Sequence, residues 1–219
     1  SYSISIVDKI DSLVGFFLIN EKPTSSKDPF ALRRAAIGLL RVIIENKLLI
    51  NLRDLISYSI RLYEEQGVKS ENEKTEIEIL NFLKERMRNI LKLKNIKTDI
   101  IEASISSHTG DNYLDLYKKN LLMNKYINKD VGINTISSYK RASNITEKAI
   151  KGITGRPDAV LFRTDEEKML YGKINEIRKA FTVKESNKDY ENLLIQLSET
   201  KQLTDNFFDN VVVNDENRD

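Results

Sequence analysis

Residues 79–91 read ILNFLKERMRNIL. Ile79, Leu80, Leu83, Met87, Ile90 and Leu91 recur at the three- and four-residue spacing that gathers side chains on one face of an α-helix, where a half-buried strand would alternate every second residue. The stretch predicts a long amphipathic helix reaching about Lys94, entered through Ser70 and Glu73 at capping-box spacing. The same period holds on either side of it. Upstream, Ile6, Val7, Ile10, Leu13, Val14 and Phe17 form one stripe. Leu52, Leu55, Ile56, Leu62 and Tyr63 form another, with Gly67 placed to close that helix in the left-handed conformation. Downstream, helices are expected over 98–106, 111–127 and about 134–149, the last ended by Gly152. Thr164 and Glu167 have capping-box spacing before Leu170, Ile174, Ile177 and Phe181, and a helical hairpin is expected from Asp189 to about Val212. With 8 Gly and 3 Pro in 219 residues, the fold class is all-α, a helical bundle. The clearest irregular connection is GITGRPDAV at 152–160.

One helix start carries a puzzle. In KPTSSKDPFALRR, residues 22–34, Asp28 suits an N-cap and Pro29 a first helical position, so a helix is expected from there to about Asn46. Arg33 and Arg34 then fall near the positive end of the macrodipole, which disfavours them. Either a neighbouring segment pairs with them or an external anion does.

Composition removes several function classes. The chain has no cysteine, hence no disulfide framework and no thiolate metal site, in keeping with a reducing, cytoplasmic setting. No apolar run approaches the roughly 18 residues of a membrane span. Lysine and arginine total 35 against 33 acidic residues, giving +2, so any polyanion site must be local. The chain opens on Ser1 with its apolar period running by Ile4 and Ile6, as an excised fragment would. His108 is the single histidine, and no phosphate-cradling glycine loop occurs; histidine-based triads, paired-histidine metal sites and nucleotide loops are not assembled here. Carboxylate pairs such as Asp8 with Asp11, or Glu64 with Glu65, read as solvated faces.

Basic residues say more. Lys84 to Lys97 holds six positive residues and one negative, whereas 185–219 holds nine acidic and three basic, so a phosphate-facing surface should avoid the second segment. The first reads either as an amphipathic helix with outward lysines or as a phosphate contact. SYKRASNITEK, residues 138–148, places Ile136, Tyr139, Ser143, Thr146 and Ile150 on one helical face and Arg141, Asn144 and Lys148 on another. The second face lines up guanidinium, amide and ammonium groups, which bind phosphates and read base edges; the alternative is a soluble helix face.

The strings VDKIDSLVGFF, KPTSSKDPFALRRAAIGLLR, FLKERMRNIL, YKRASNI and TDNFFDNVVVNDENRD, in this order, resemble the β subunit of the bacterial heterotetrameric glycyl-tRNA synthetase. The resemblance implies a carboxy-terminal fragment: residues 1–60 finish an HD-like helical domain, and 61–219 form a helical anticodon-binding domain truncated at its end. Asp8 would stand where that superfamily keeps its last metal-ligand aspartate, its partners lying upstream, so no metal site is expected in this chain. In that family a separate α subunit activates glycine with ATP and Mg, in a two-α two-β assembly, while the β subunit grips tRNA. The resemblance thus implies a non-catalytic fragment with no cofactor of its own, and glycine tRNA and the α subunit as partners. Its tRNA-binding residues would come from Arg33, Arg34, Arg41, Lys140, Arg141, Asn144, Lys148 and Arg156. Two alternatives stand beside it: a fragment of an HD-type metal-dependent phosphohydrolase, motivated by VDKID, and a structural module docking the α subunit through Phe16, Phe17 and Leu18.

Overall fold

A computed structural model of the chain describes residues 2–68, 72–108, 112–149, 157–182 and 189–211, with backbone only at 72 and 147–149. Among them are nine α-helices and no strand: α1 (Tyr2–Leu18), α2 (Leu32–Glu45), α3 (Leu52–Glu65), α4 (Asn72–Lys92), α5 (Thr98–Ser107), α6 (Tyr113–Tyr126), α7 (Asp130–Ala149), α8 (Asp165–Phe181) and α9 (Tyr190–Asn210), with a 3-10 turn at Ala159–Leu161. Two compact units divide them, 1–124 and 125–219. The boundary expected after residue 60 falls inside α3, where Ile60 is buried and the helix packs on both α1 and α4.

In the first unit α4 is the hub, packing against α1, α2, α3 and α5. All six residues of its apolar stripe are buried, Leu83, Met87 and Leu91 completely. Ser70, the expected capping partner of Glu73, lies outside the described residues. Ile6, Ile10, Leu13, Val14 and Phe17 of α1 meet this core, but Val7 is 67% exposed. On α3, Leu52 and Ile56 are buried with Ser59 and Ile60, while Leu55 and Leu62 lie at the surface. Both helices carry a wider apolar arc than the neighbours cover. Gly67 closes α3 as expected, at φ 88°.

The second helix starts later than Pro29. Ala31 adopts a left-handed φ of 56°, which interrupts the turn, and helical geometry begins at Leu32. Asp28 still caps it from upstream, its carboxylate oxygens accepting the Leu32 N–H at 2.9 Å and the Arg33 N–H at 3.0 Å. The insertion lets Phe30 stack on Phe16, ring centroids 4.0 Å apart.

In the second unit α9 packs between α7 and α8. Its core mixes Ile177 and Leu193 with buried Ser138, Ser198, Thr200 and Thr204. The Ser198 and Thr200 hydroxyls donate to the carbonyls of Ile195 and Leu197 in their own helix, which removes most of the cost of burying them. The capping box is complete: Thr164 accepts the Glu167 N–H, and Glu167 accepts the Thr164 N–H at 2.7 Å. These backbone bonds, that from Thr164 foremost, hold the Glu167 carboxyl below its ordinary range. The expected hairpin from Asp189 is instead one 21-residue helix capped by Asp189, since nothing between 190 and 210 breaks a helix. Helix α7 also begins four residues before Asn134, with Gly132 in its first turn, where a Cβ would come within 2.3 Å of the Tyr126 carbonyl oxygen. The position expected to end it, Gly152, lies outside the described residues.

Truncating Leu83 to alanine should cost about 2–5 kcal/mol in urea unfolding, whereas Val7→Ala should stay within about 0.5 kcal/mol. Similar losses at both positions would show that α4 is not the hub.

Candidate nucleic-acid interface

Arg33 answers the puzzle of the helix start. Its guanidinium donates to the Thr24 carbonyl, while the Thr24 N–H donates to the Lys27 carbonyl at 2.9 Å and Thr24 Oγ1 accepts the Lys27 N–H at 3.2 Å. The arginine therefore braces the polar turn that leads into its own helix. Nearby, Arg86 lies over the Phe82 ring at 4.6 Å; burial and then the charge of Arg33 push its guanidinium below the ordinary arginine value. Arg34 and Arg41, seven residues apart on α2, are exposed and make no hydrogen bond or ion pair among the described residues. One helix thus divides its three arginines between a structural brace and two cations open to solvent.

The basic stretch on α4 divides likewise. Arg88 donates to both oxygens of Glu102, at 2.7 and 2.8 Å, and also to Glu85. Those bonds, Glu102 first, raise its guanidinium pKa and lower that of the Glu102 carboxyl. Lys84 reaches the His108 carbonyl at 3.4 Å. Lys92, Lys94 and Lys97 are exposed where α4 turns into α5. An open cleft of about 520 Å³ is lined instead by Phe17, Pro23, Phe82, Lys84 and Arg88, and the Lys22 and Glu78 that also line it pair with each other at 2.5 Å. Asp8 is exposed, and no cluster of three metal-binding side chains occurs among the described residues. Phe17 is buried, edge-on to Phe82, while half-buried Phe16 stacks on Phe30, which is itself 43% exposed.

On α7 the face is rotated from expectation. Tyr139, expected inward, is 71% exposed; Ser138 beside it is buried. Arg141, expected outward, donates to Asp205 at 2.8 Å and Asp209 at 2.5 Å and lies over the Phe208 ring. Those two aspartates lie one turn apart on α9, so a single guanidinium spans both and ties α7 to α9. Ile133, Ser137, Lys140 and Asn144 form the outward face. Ile136 is half-buried, Ile150 and Arg156 lie outside the described residues, and the Lys148 side chain is not described. A further cluster escaped the sequence reading: Lys125 and Lys129 flank the Tyr126 ring at 4.9 and 5.2 Å, and Lys125 and the Tyr126 hydroxyl both donate to Glu191. No local spacing signals it, because Glu191 is more than sixty residues away.

Residues 1–106 match the family described as glycyl-tRNA synthetase beta subunit, and residues 135–219 match the DALR anticodon binding domain. Among similar proteins are the glycine–tRNA ligase beta subunits of Rickettsia canadensis (strain McKiel), 41% identical over 212 residues, Rickettsia prowazekii (strain Madrid E), 39% identical over 212 residues, and Clostridioides difficile (strain 630), 31% identical over 213 residues. Each alignment covers 97% of this chain, and the chain spans 30% of the length of these relatives.

The Asp205 carboxyl is held below its ordinary range first by Lys201 and then by Arg141. A depressed folded-state pKa contributes stability that is fully present above the ordinary carboxylate value of about 3.9 and lost as pH falls through the folded value. Arg141→Ala should therefore lower the melting temperature at pH 7 and shrink the further drop between pH 5 and 2, while Asn144→Ala should leave both at parental values. Thermal melts across that range check this; equal acid sensitivity of parent and Arg141→Ala would refute the tether.

Proposed function

We propose, from the premise that this chain belongs to the glycyl-tRNA synthetase beta subunit family, that it supplies anticodon recognition for glycine tRNA and carries no catalytic step itself. Glycine activation, with its ATP and Mg, falls to a separate α subunit in a cytoplasmic two-α two-β assembly. The observation that carries the reading is the match of residues 135–219 to an anticodon-binding domain, laid over a helix whose outward face bears Lys140 and Asn144. An exposed amide can donate and accept at one base edge, and the ammonium one turn before it can hold the adjoining phosphate.

Roles then divide among the candidate residues. Arg34, Arg41 and Lys140 contact phosphates, Asn144 reads a base, and Lys148 and Arg156 join them on the family resemblance. Arg33 and Arg141 act as braces that orient the helices bearing the others, since each spends its guanidinium within its own unit.

Binding of a glycine tRNA transcript should weaken steeply with salt, by roughly 0.7–0.9 in log–log slope per phosphate neutralised. Asn144→Ala should cost about 1–3 kcal/mol and relax discrimination against other tRNAs, by analogy with base readout in DNA, whereas Lys140→Ala should weaken all tRNAs alike. Affinity that does not change with salt, or equal binding by the Asn144→Ala chain, would count against this assignment.

A further inference from the structure

Helix α1 carries two stripes. Ile6, Ile10, Leu13, Val14 and Phe17 are buried in the core, whereas Ile4, Val7, Asp8 and Asp11 stand at i, i+3, i+4 and i+7 on another side of the helix. All four of these are exposed, although α2, α3 and α4 pack on this helix. At 72% and 67%, Ile4 and Val7 are the most exposed aliphatic side chains that any helix of the first unit bears among the described residues. Both are β-branched, so on a solvated face they weaken the helix and gain nothing from being apolar. They become favourable only against another surface.

Charge and size narrow what that surface is. Asp8 and Asp11 are the ionisable groups on the stripe, while Lys9, the one cation of α1, lies toward α2, its Cε 2.9 Å from where a Gly38 Cβ would stand. At the next turn Tyr63 of α3 closes the stripe, its hydroxyl oxygen 2.6 Å from a Cβ built on Gly15. The open face is thus two helical turns, apolar and acidic. A separate subunit needs about 20–30 residues a side to stay bound, whereas a tethered segment is held at high effective concentration and needs far less. The chain spans 30% of the length of its relatives, so the greater part of such a subunit lies outside it. We propose that the Ile4, Val7, Asp8 and Asp11 face of α1 is an interface within the subunit, covered by a segment of the same polypeptide beyond these residues that sets apolar side chains against Ile4 and Val7 and basic ones opposite the two aspartates. The inference stands on family membership and is independent of the tRNA-binding reading.

Hydroxyl-radical footprinting read by mass spectrometry compares the 219-residue chain with the full-length Rickettsia canadensis subunit, the latter alone and with a glycyl-tRNA synthetase α subunit. Ile4 and Val7 should label as exposed side chains in the 219-residue chain, and the aligned residues should lose nearly all labelling in the full-length subunit by itself. Ile4→Lys with Val7→Lys should leave the melting temperature of the 219-residue chain within about 2 °C of the parent. Asp8→Asn with Asp11→Asn, made at the aligned positions of the full-length subunit, should return part of the labelling. Equal labelling of chain and full-length subunit overturns the interface, and unchanged protection after the two asparagine substitutions overturns its basic complement. Protection that arises only when the α subunit is added overturns a tethered occupant in favour of a separate one. Protection already present in the 219-residue chain, lost together with a dimer in sedimentation when Ile4→Lys and Val7→Lys are introduced, overturns it in favour of a second copy.

Discussion

The first unit depends on one constraint: the apolar stripe of α4 must be covered from several sides at once. Leu83, Met87 and Leu91 have no solvent exposure, and α1, α2, α3 and α5 all pack on this helix. At about 1.5–3 kcal/mol for each fully buried large side chain, six such positions outweigh any single surface interaction nearby. Each other helix needs only enough apolar surface to meet its share of α4. That is why α1 and α3 can leave Val7, Leu55 and Leu62 outside, and why the far faces of α2 and α4 are free to carry cations.

The second unit is held differently. Its buried set is short of large aliphatic residues and includes Ser138, Ser198, Thr200 and Thr204, so pairing between helices takes on more of the positioning. Arg141 with Asp205 and Asp209 joins α7 to α9, and Lys173 with Glu199 joins α8 to α9. Acidic residues on α9 that look like a surface hostile to RNA are, in the folded unit, partners for cations on its neighbours. The positive groups left unmatched, Lys140 among them, then define the outward face.

How much of this was legible in the sequence follows from the range of each interaction. Residues 79–91 could be read completely because a 3.6-residue period is local, and a stripe that narrow has one way to face a core. The Thr164–Glu167 capping box and the Gly67 closure were legible for the same reason: their chemistry lies within three residues. Periodicity does not reveal how wide an arc the neighbours cover, which hid the exposure of Val7 and Leu55. Nor does it show what stands opposite a charged residue. Arg141 finds Asp205 sixty-four positions away, so a face that reads as outward turns toward α9, and Tyr139 swings out in exchange. The late start of α2 was hidden by a left-handed alanine, a conformation alanine rarely adopts and no pattern marks. The likeness to the family was legible from the strings themselves, whereas the division into compact units at residue 124 was not, because packing between helices is a long-range property.

The central position of α9 also sets an order of events during synthesis. α7 and α8 each pack on α9 and far less on each other, so neither can bury its inner face until the last described helix has been made. The first unit faces no such delay, since every helix that packs on α4 lies within residues 1–124. At about 5–20 residues per second, the ribosome extends the growing chain for several seconds after α1 to α5 have been made, while α7 and α8 still lack their common partner. During that interval the half-built second unit exposes Ile177 and the unpaired guanidinium of Arg141, a transient surface open to chaperones and to premature association with neighbouring nascent chains.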